Sequence, residues 1–541
     1  MSTTTYKSDN IIVGGGLAGI VTALELLDLG QKVLLLDRDI EERFGGLAKL
    51  SFGGMFFVDT PEQKRAGIKD SVDIALKDWF SVADFGEKDE LPKKWAEQYV
   101  NTATDYVYQY LKNHKIKFFP FVHWVERGLL KRGNSYPRFH MVWGTGAGLS
   151  DGLRDNLLNH PKAKTHLQIH FNHRVEEILT QNDTVIGVKG KTEDTDIEFE
   201  AYGNQTIIAA GGLGGDIEQV KSNWHKDWGT PPKVILNGAH PFADGLLHRA
   251  VERMDGKITH LDLTWPYAAG VHHPRPTKEL DGLSLVPPRS ALWFNHKGKR
   301  FGPMPLITSY DTRYLVDQIC AQEKKYSWQI MNMKIMNKEL AISGSEFNPA
   351  FKNKSMFQVL KTLLMGNKAL SEDMINNCPD FVTGNSVEEL VENMNALTGT
   401  NDVDLQTVKN AITEYDKEVD RGHKYFVDEQ LCRLEHLRTY TGDRVRMCKF
   451  AKINDQHNLP LVAIREFILS RKTLGGMQTD LKCRILSNSG EPINGLYAVG
   501  EAAGFGGGGM HGKGTLEGTF LGACVLTGRI AAHDIVGKSL L

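Results

Sequence analysis

The apolar positions of residues 10–37 change period twice. Ile11, Ile12 and Val13 form a short β-branched run that reads as a buried strand. From Ile20 to Leu29 the apolar residues return at helical spacing, and Gly30 stops the helix. "KVLLLD" then gives a second buried strand ending in Asp37. Strand, turn, helix and strand in this order predict a βαβ unit of a parallel sheet.

Later segments follow other patterns. Residues 172–212, "NHRVEEILTQNDTVIGVKGKTEDTDIEFEAYGNQTIIAAGG", alternate in short runs broken by Asn-Asp and Gly, which predicts a β-meander beside the first unit. From about Pro241 the pattern is mixed, and from Gln329 to Tyr425 it is largely helical. Ser386 and Glu389 read as a capping box ahead of "LVENMNAL", and "DLQTVKNAITEYDKEV" as a second amphipathic helix. Near the end, "GLYAV" predicts a strand returning to the first parallel sheet. A glycine-flooded loop and a helix beginning near Leu516 follow it. There is no internal repeat and no low-complexity linker.

At 541 residues the chain exceeds one ordinary core and predicts two or three domains. A net charge of −2 suggests neither nucleic acid nor an anionic membrane surface as a partner. The polar opening "MSTTTYKSDN" lacks the apolar core of a signal peptide, and no apolar run is long enough to span a bilayer. Six cysteines (320, 378, 432, 448, 483, 524) without a CxxC argue against disulfides and zinc. The adjacent histidines of "VHHPRP" point apart on a strand with no carboxylate spaced nearby, so no metal site is expected. The expectation is a reduced, cytoplasmic, multidomain protein.

The glycines supply the chemistry. Gly14, Gly16 and Gly19 give G-x-G-x-x-G between strand and helix. The first two make a tight turn that a pyrophosphate can approach, and Gly19 lets the helix pack on the strand. The helix N-terminus presents free N–H groups to phosphate, and Asp37 is placed to accept from ribose hydroxyls. NAD and FAD both satisfy this fingerprint. The paired glycines Gly45–Gly46 and Gly53–Gly54, with Gly500 and Glu501 at the C-terminal edge of the "GLYAV" strand, favour FAD. Their backbone would run along an extended cofactor and its ring system. Glu501 is a candidate partner for a ribityl or ribose hydroxyl. The final helix would aim its positive end at the flavin N1–C2=O edge.

These segments resemble the superfamily of FAD flavoproteins that includes fumarate reductase, L-aspartate oxidase and the 3-ketosteroid dehydrogenases. The resemblance runs through "GGLAKLSFGGM", "TIIAAGGLGGD", "ADGLLHRAVERMDGKI", "FNHKGKRFGP", "SYDTRYL", "SVEELVENMNAL", "LGGMQTD" and "GLYAVGEAAG". It implies an α/β fold: a discontinuous Rossmann-like FAD-binding domain (1–240 and 441–541) with an inserted α+β capping domain (241–440). It adds Leu17, Ala18, Arg38, Lys49, Ser51, Val175, Ala210, Gly211, Asp244, Thr515 and Leu516 to the expected FAD contacts. The family's covalent attachment uses a histidine in the early glycine segment, and "GGLAKLSFGG" has none, so non-covalent FAD is expected.

The implied reaction is dehydrogenation or reduction of a CH–CH bond beside an electron-withdrawing group, with hydride passing to flavin N5. Arg313 lies where the fumarate reductases carry their proton-transferring arginine, and Tyr310 where the ketosteroid dehydrogenases carry a tyrosine base. The dicarboxylate grip is missing: Trp265, Lys472 and Thr515 stand where fumarate reductases have two histidines and an arginine. The final loop also lacks the tyrosine of the ketosteroid branch. His511, Lys513, Lys472 or Arg471 remain to polarise an oxygen.

The leading expectation is an FAD-dependent oxidoreductase acting on a ketosteroid-like or other bulky ketone, with Tyr310, Arg313, His511 and Lys472 as catalytic candidates. The alternatives are a fumarate-reductase-like enoate reductase gripping through Arg471, Lys472 and Lys513, or a non-catalytic flavin-binding redox protein. "GGLGG" at Gly211–Gly215 lacks dinucleotide spacing, so a quinone or small carrier, rather than NADH, is the expected electron acceptor.

Overall fold

A computed structural model describes residues 3–541; Met1 and Ser2, the start of the polar opening stretch, lie outside the described residues. The chain forms two compact units. One holds the residues up to His225 with Ala239–Trp265 and Arg471–Leu541; the other holds Lys226–Gly238 and Pro266–Ser470.

The first unit is built on five adjacent parallel strands, in the order Pro492–Ala498, Gln205–Ile208, Asn10–Val13, Val33–Leu36 and Leu167–His170. Ile11, Ile12, Leu34, Leu35 and Leu36 are fully buried, as strands covered on both faces require. The predicted return of "GLYAV" is present: Leu496, Tyr497 and Ala498 pair with Thr206, Ile207 and Ile208. The meander is present too. His173–Gln181, Thr184–Thr192 and Glu198–Tyr202 pair antiparallel, and Thr4–Lys7 adds a parallel edge. Helices Leu17–Asp28 and Thr519–Ile535 cross closely at Gly528, where a Cβ would stand 2.9 Å from the Ala18 carbonyl oxygen.

The last helix begins at Thr519, not near Leu516. Gly518, at φ +101°, occupies the capping position, and its carbonyl accepts from the Phe56 N–H at 2.8 Å. That bond fixes the end of the loop three residues beyond the expected start.

The second unit is centred on the strand Leu461–Thr473, which pairs antiparallel with Tyr326–Asn332 and Phe381–Gly384. The capping segment expected at 241–440 therefore shifts. A central strand cannot leave its sheet without orphaning its ladder, so residues up to Ser470 stay with this unit. Residues from Ala239 to Trp265 belong to the first unit, where Leu247, Ala250 and Val251 of helix Leu246–Arg253 join the sheet's core. Ser386 caps helix Val387–Thr398 through the Glu389 N–H at 3.1 Å. The Glu389 carboxylate returns to the Asn385 N–H at 2.8 Å, one residue before the box predicts. The second amphipathic helix is Leu405–Arg421, capped by Asp404.

Among the described residues no helix is long and apolar enough to cross a membrane, and no group of three or more His, Cys, Asp or Glu is placed to hold a metal ion. His272 pairs with Asp380 and His273 with Glu346.

Candidate functional site

The three glycines of the fingerprint have separate physical reasons. Gly14, at φ +112°, donates its N–H to the Leu36 carbonyl at 2.8 Å, and a Cβ there would lie 2.4 Å from the Ala209 oxygen. A Cβ on Gly19 would lie 2.0 Å from the Gly14 oxygen, so the helix packs directly on the turn. Gly16 differs: a Cβ there meets nothing within 4 Å. It offers no side-chain cap, and the first helical turn has no acidic residue, so the first-turn N–H groups face an open cradle suited to an anion. This cradle fits a dinucleotide pyrophosphate.

Asp37 ends the second strand. Its carboxylate accepts from the Gly15 and Asp39 N–H groups, both at 2.9 Å, and burial pushes its pKa up. It anchors the loop through these two bonds. Arg38 and Asp244, both expected FAD contacts, bind each other at 2.6 Å; Arg38 also pairs with Glu193 and stacks on Phe242. The Val175 side chain is in the core, and the residue pairs with Gly190 across the ladder.

The second glycine loop lies against the first. Gly45 donates to the Gly15 carbonyl at 3.0 Å, and a Cβ on Gly46 would be 3.1 Å from the Gly16 Cα. Lys49 reaches the Glu42 carbonyl and Asp151, while Ser51 donates to the Ala48 carbonyl. Gly53 and Gly54 also have packing reasons: a Cβ would strike the Thr145 backbone at 2.6 Å or the Phe139 ring at 1.7 Å. Ala210 and Gly211 leave the strand Gln205–Ile208 just after Ala209, whose N–H donates to the Val13 carbonyl.

The C-terminal loop brings the remaining candidates together. Gly500, at φ +63°, lies so close to helix Leu17–Asp28 that a Cβ would be 2.8 Å from the Ala18 Cβ. Glu501 accepts from the Thr473 N–H at 2.9 Å, and desolvation pushes it up to about 7. The fully buried His511 stacks between Trp79 and Phe520, with Phe505 at its edge. The Thr519 hydroxyl hydrogen-bonds His511 Nε2 at 2.6 Å and lies 3.0 Å from the Leu516 carbonyl oxygen. Nδ1 is buried without a hydrogen-bond partner among the described residues. Burial, aided by Lys472, pushes His511 down to about 3, so the ring is neutral. Thr515 approaches Thr519 at 3.1 Å, and Leu516 is fully buried.

Lys472 Nζ lies 3.9 Å above the Phe520 ring and 3.9 Å from Glu517 Oε2. Desolvation pulls it down to about 8 against the opposing pull of Glu517, Glu501 and Glu126. The Trp265 indole N–H donates to Glu517 Oε1 at 2.7 Å. Trp265, which stands where fumarate reductases have a histidine, is thus a hydrogen-bond donor. Glu517 was not anticipated; its signal was an acid inside the uncharged stretch "GTLEGTF". Lys513 pairs with Asp84 at 3.5 Å.

Tyr310 and Arg313 belong to the second unit. The Tyr310 hydroxyl lies 2.9 Å from His436 Nδ1 and 3.2 Å from the Arg433 carbonyl. The Arg313 guanidinium stacks on Trp228 at 5.0 Å, beside Asp317 at 3.9 Å.

A parallel sheet whose strand ends carry back-to-back glycine loops, with Asp37 at the end of the second strand and a buried Glu501, is the architecture of a dinucleotide-binding protein. The chain belongs to the FAD binding domain family, whose model matches residues 9–521, and is an FAD-dependent oxidoreductase acting on CH–CH bonds. It is 38% identical over 545 residues to a KsdD-like steroid dehydrogenase of Mycobacterium tuberculosis, covering 97% of this chain and 95% of the relative. Its fold matches the 3-ketosteroid Δ1-dehydrogenase of Sterolibacterium denitrificans with a TM-score of 0.72 at 17% identity, over 98% and 99% of the two chains. A flavocytochrome c3 fumarate reductase matches with a TM-score of 0.67 at 19% identity, over 99% of this chain and 79% of that one. At these identities the two structures speak for the fold.

Proposed function

We propose that this protein dehydrogenates a ketosteroid, or a comparably bulky cyclic ketone, at the CH–CH bond beside its carbonyl. The carrying observation is the Trp265–Glu517 hydrogen bond, with Lys472 beside it. A small dicarboxylate needs unopposed cations, whereas here Lys472 already faces a carboxylate and lies on an aromatic ring. A fixed negative charge repels a second one and leaves a neutral ketone unaffected. The steroid dehydrogenase named above supports the same substrate class.

Bound FAD supplies the hydride acceptor. Lys472, with its amine poised near 8, stabilises the developing enolate oxygen in its protonated form. His511, neutral, orders the loop through Thr519 and keeps water from the stacked aromatic wall. Tyr310, with its hydroxyl on His436, would take the proton, or Arg313 would relay it, and a quinone or small carrier would be the final electron acceptor. The FAD is held non-covalently.

The test is an anaerobic spectrum of the purified protein before and after addition of ketosteroids. Bleaching of the flavin band by a ketosteroid, with bleaching lost in Tyr310→Phe or Arg313→Ala proteins that still bind FAD, supports the assignment. Rapid reoxidation of dithionite-reduced enzyme by fumarate, without ketosteroid bleaching, would establish the fumarate-reductase reading instead.

A further inference from the structure

The second unit carries a feature unconnected with the glycine loops. Helix Met356–Met365 is capped by Ser355, and of its ten residues only Val359 is buried. At 100° per residue, Val359, Leu363, Met356, Leu360, Leu364 and Phe357 form one continuous apolar arc. The protein covers one edge of that arc, at Val359 and the half-buried Leu363. The other edge faces outward: Phe357 is 78% exposed and Leu364 82%, with Leu360 and Met356 also exposed, and Met365 at the helix end, outside the arc, is 69% exposed. No other helix among the described residues has as many exposed large apolar side chains. Isolated exposed leucines are ordinary; five such residues on a ten-residue helix are not.

The charges around this helix have one sign. From Phe347 to Ser371 the chain contains Lys352, Lys354, Lys361 and Lys368 and no Asp or Glu. All four lysines are exposed. On helix Met333–Glu339, Lys338 donates to the Leu363 carbonyl and Glu339 is turned inward to Ser290 and Cys448. Of the flanking acids, Glu346 pairs with His273 and Asp373 with Arg275, and the exposed Glu372 follows the segment directly. The near-neutral total charge of the chain conceals this basic segment.

We propose that helix Met356–Met365 is an interfacial anchor that seats this protein on an anionic phospholipid surface. Phe357, Leu360 and Leu364 enter the acyl boundary, and Lys352, Lys354, Lys361 and Lys368 reach the headgroups. An outward apolar edge with lysines beside it is the composition of a helix lying in a membrane interface. A second copy of the chain is a poorer occupant, because pairing this face with itself sets lysine against lysine. The inference is independent of the substrate assignment, since none of these residues belongs to the site described above.

The experiment is flotation of the FAD-loaded, full-length protein with two vesicle types, phosphatidylcholine alone and phosphatidylcholine with phosphatidylglycerol. The expected result is flotation with the anionic vesicles, weakened by added salt. Phe357→Ser/Leu364→Ser should reduce it at least about tenfold, with flavin absorbance and thermal midpoint unchanged. A Leu364→Trp protein should show a blue-shifted emission on adding the anionic vesicles. Wild-type protein that stays with the dense fraction overturns the proposal, as does flotation that the double substitution leaves intact. If the double substitution instead converts a dimer to a monomer without altering flotation, the face is a subunit interface and the proposal is wrong.

Discussion

The Trp265 indole N–H donates to Glu517 Oε1 at 2.7 Å, and the other carboxylate oxygen lies 3.9 Å from Lys472 Nζ. One acid thus couples an aromatic wall to an amine that desolvation has pulled down to about 8. Removing the negative charge lowers that amine further, because a neighbouring carboxylate favours the protonated form. In Glu517→Gln, the alkaline fall of flavin reduction rate should move down by about one pH unit. Lys472→Met should remove the dependence and most of the rate. An unshifted profile in Glu517→Gln would separate Lys472 from the chemistry.

The two glycines at the start of helix Leu17–Asp28 should separate folding from cofactor binding. Gly16 has open space at its Cβ and an ordinary φ of −72°. Gly16→Ala should keep the stability of the FAD-free protein within about 0.5 kcal/mol and yet purify with little flavin. Gly19→Ala forces a carbon to 2.0 Å from the Gly14 oxygen and should cost about 3 kcal/mol or more in the FAD-free protein. Urea unfolding and the ratio of flavin to protein absorbance read the two effects.

Glu501 titrates at about 7 in the folded protein because burial disfavours its charge. The raised value means a contribution to stability that is full below the unfolded pKa of about 4.5 and is lost as pH rises through about 7. The FAD-free protein should therefore lose up to ~3 kcal/mol from this group across that window, and Glu501→Gln should not. With FAD, hydroxyl donors favour the carboxylate, so affinity should rise through the same pH range and become flat, and about tenfold weaker, in Glu501→Gln.

His511 has the opposite sign. Its pKa is pushed down to about 3, so its contribution is present above about 6.5 and lost as pH falls toward 3. Unfolding free energies at pH 7 and pH 4 should differ by roughly 3 kcal/mol less in His511→Phe than in the wild type. The activity profile between pH 5 and 8, measured at saturating substrate, should carry no limb belonging to this histidine.

Much of the FAD fold was legible in the residues. The period change across residues 10–37 and the "GLYAV" run specify parallel pairing, because strands covered on both faces must be apolar throughout. Gly14 and Gly19 were legible for a similar reason, since a helix that meets its own turn admits no side chain. The second unit's limits were not legible, because strand Leu461–Thr473 reads as an ordinary apolar run until its partners Tyr326–Asn332 and Phe381–Gly384 are known.

The sequence by itself determined the cofactor loops, since their demands are local: a backbone angle, a close approach, an acid at a strand end. Only the tertiary structure decided the electrical state of the site. Lys472, Glu501 and His511 are an ordinary lysine, glutamate and histidine in the sequence, and burial in the fold moves each from its usual range. Desolvation is set by which distant segments close over a group: Trp79 packs on His511, and Phe520 lies under Lys472.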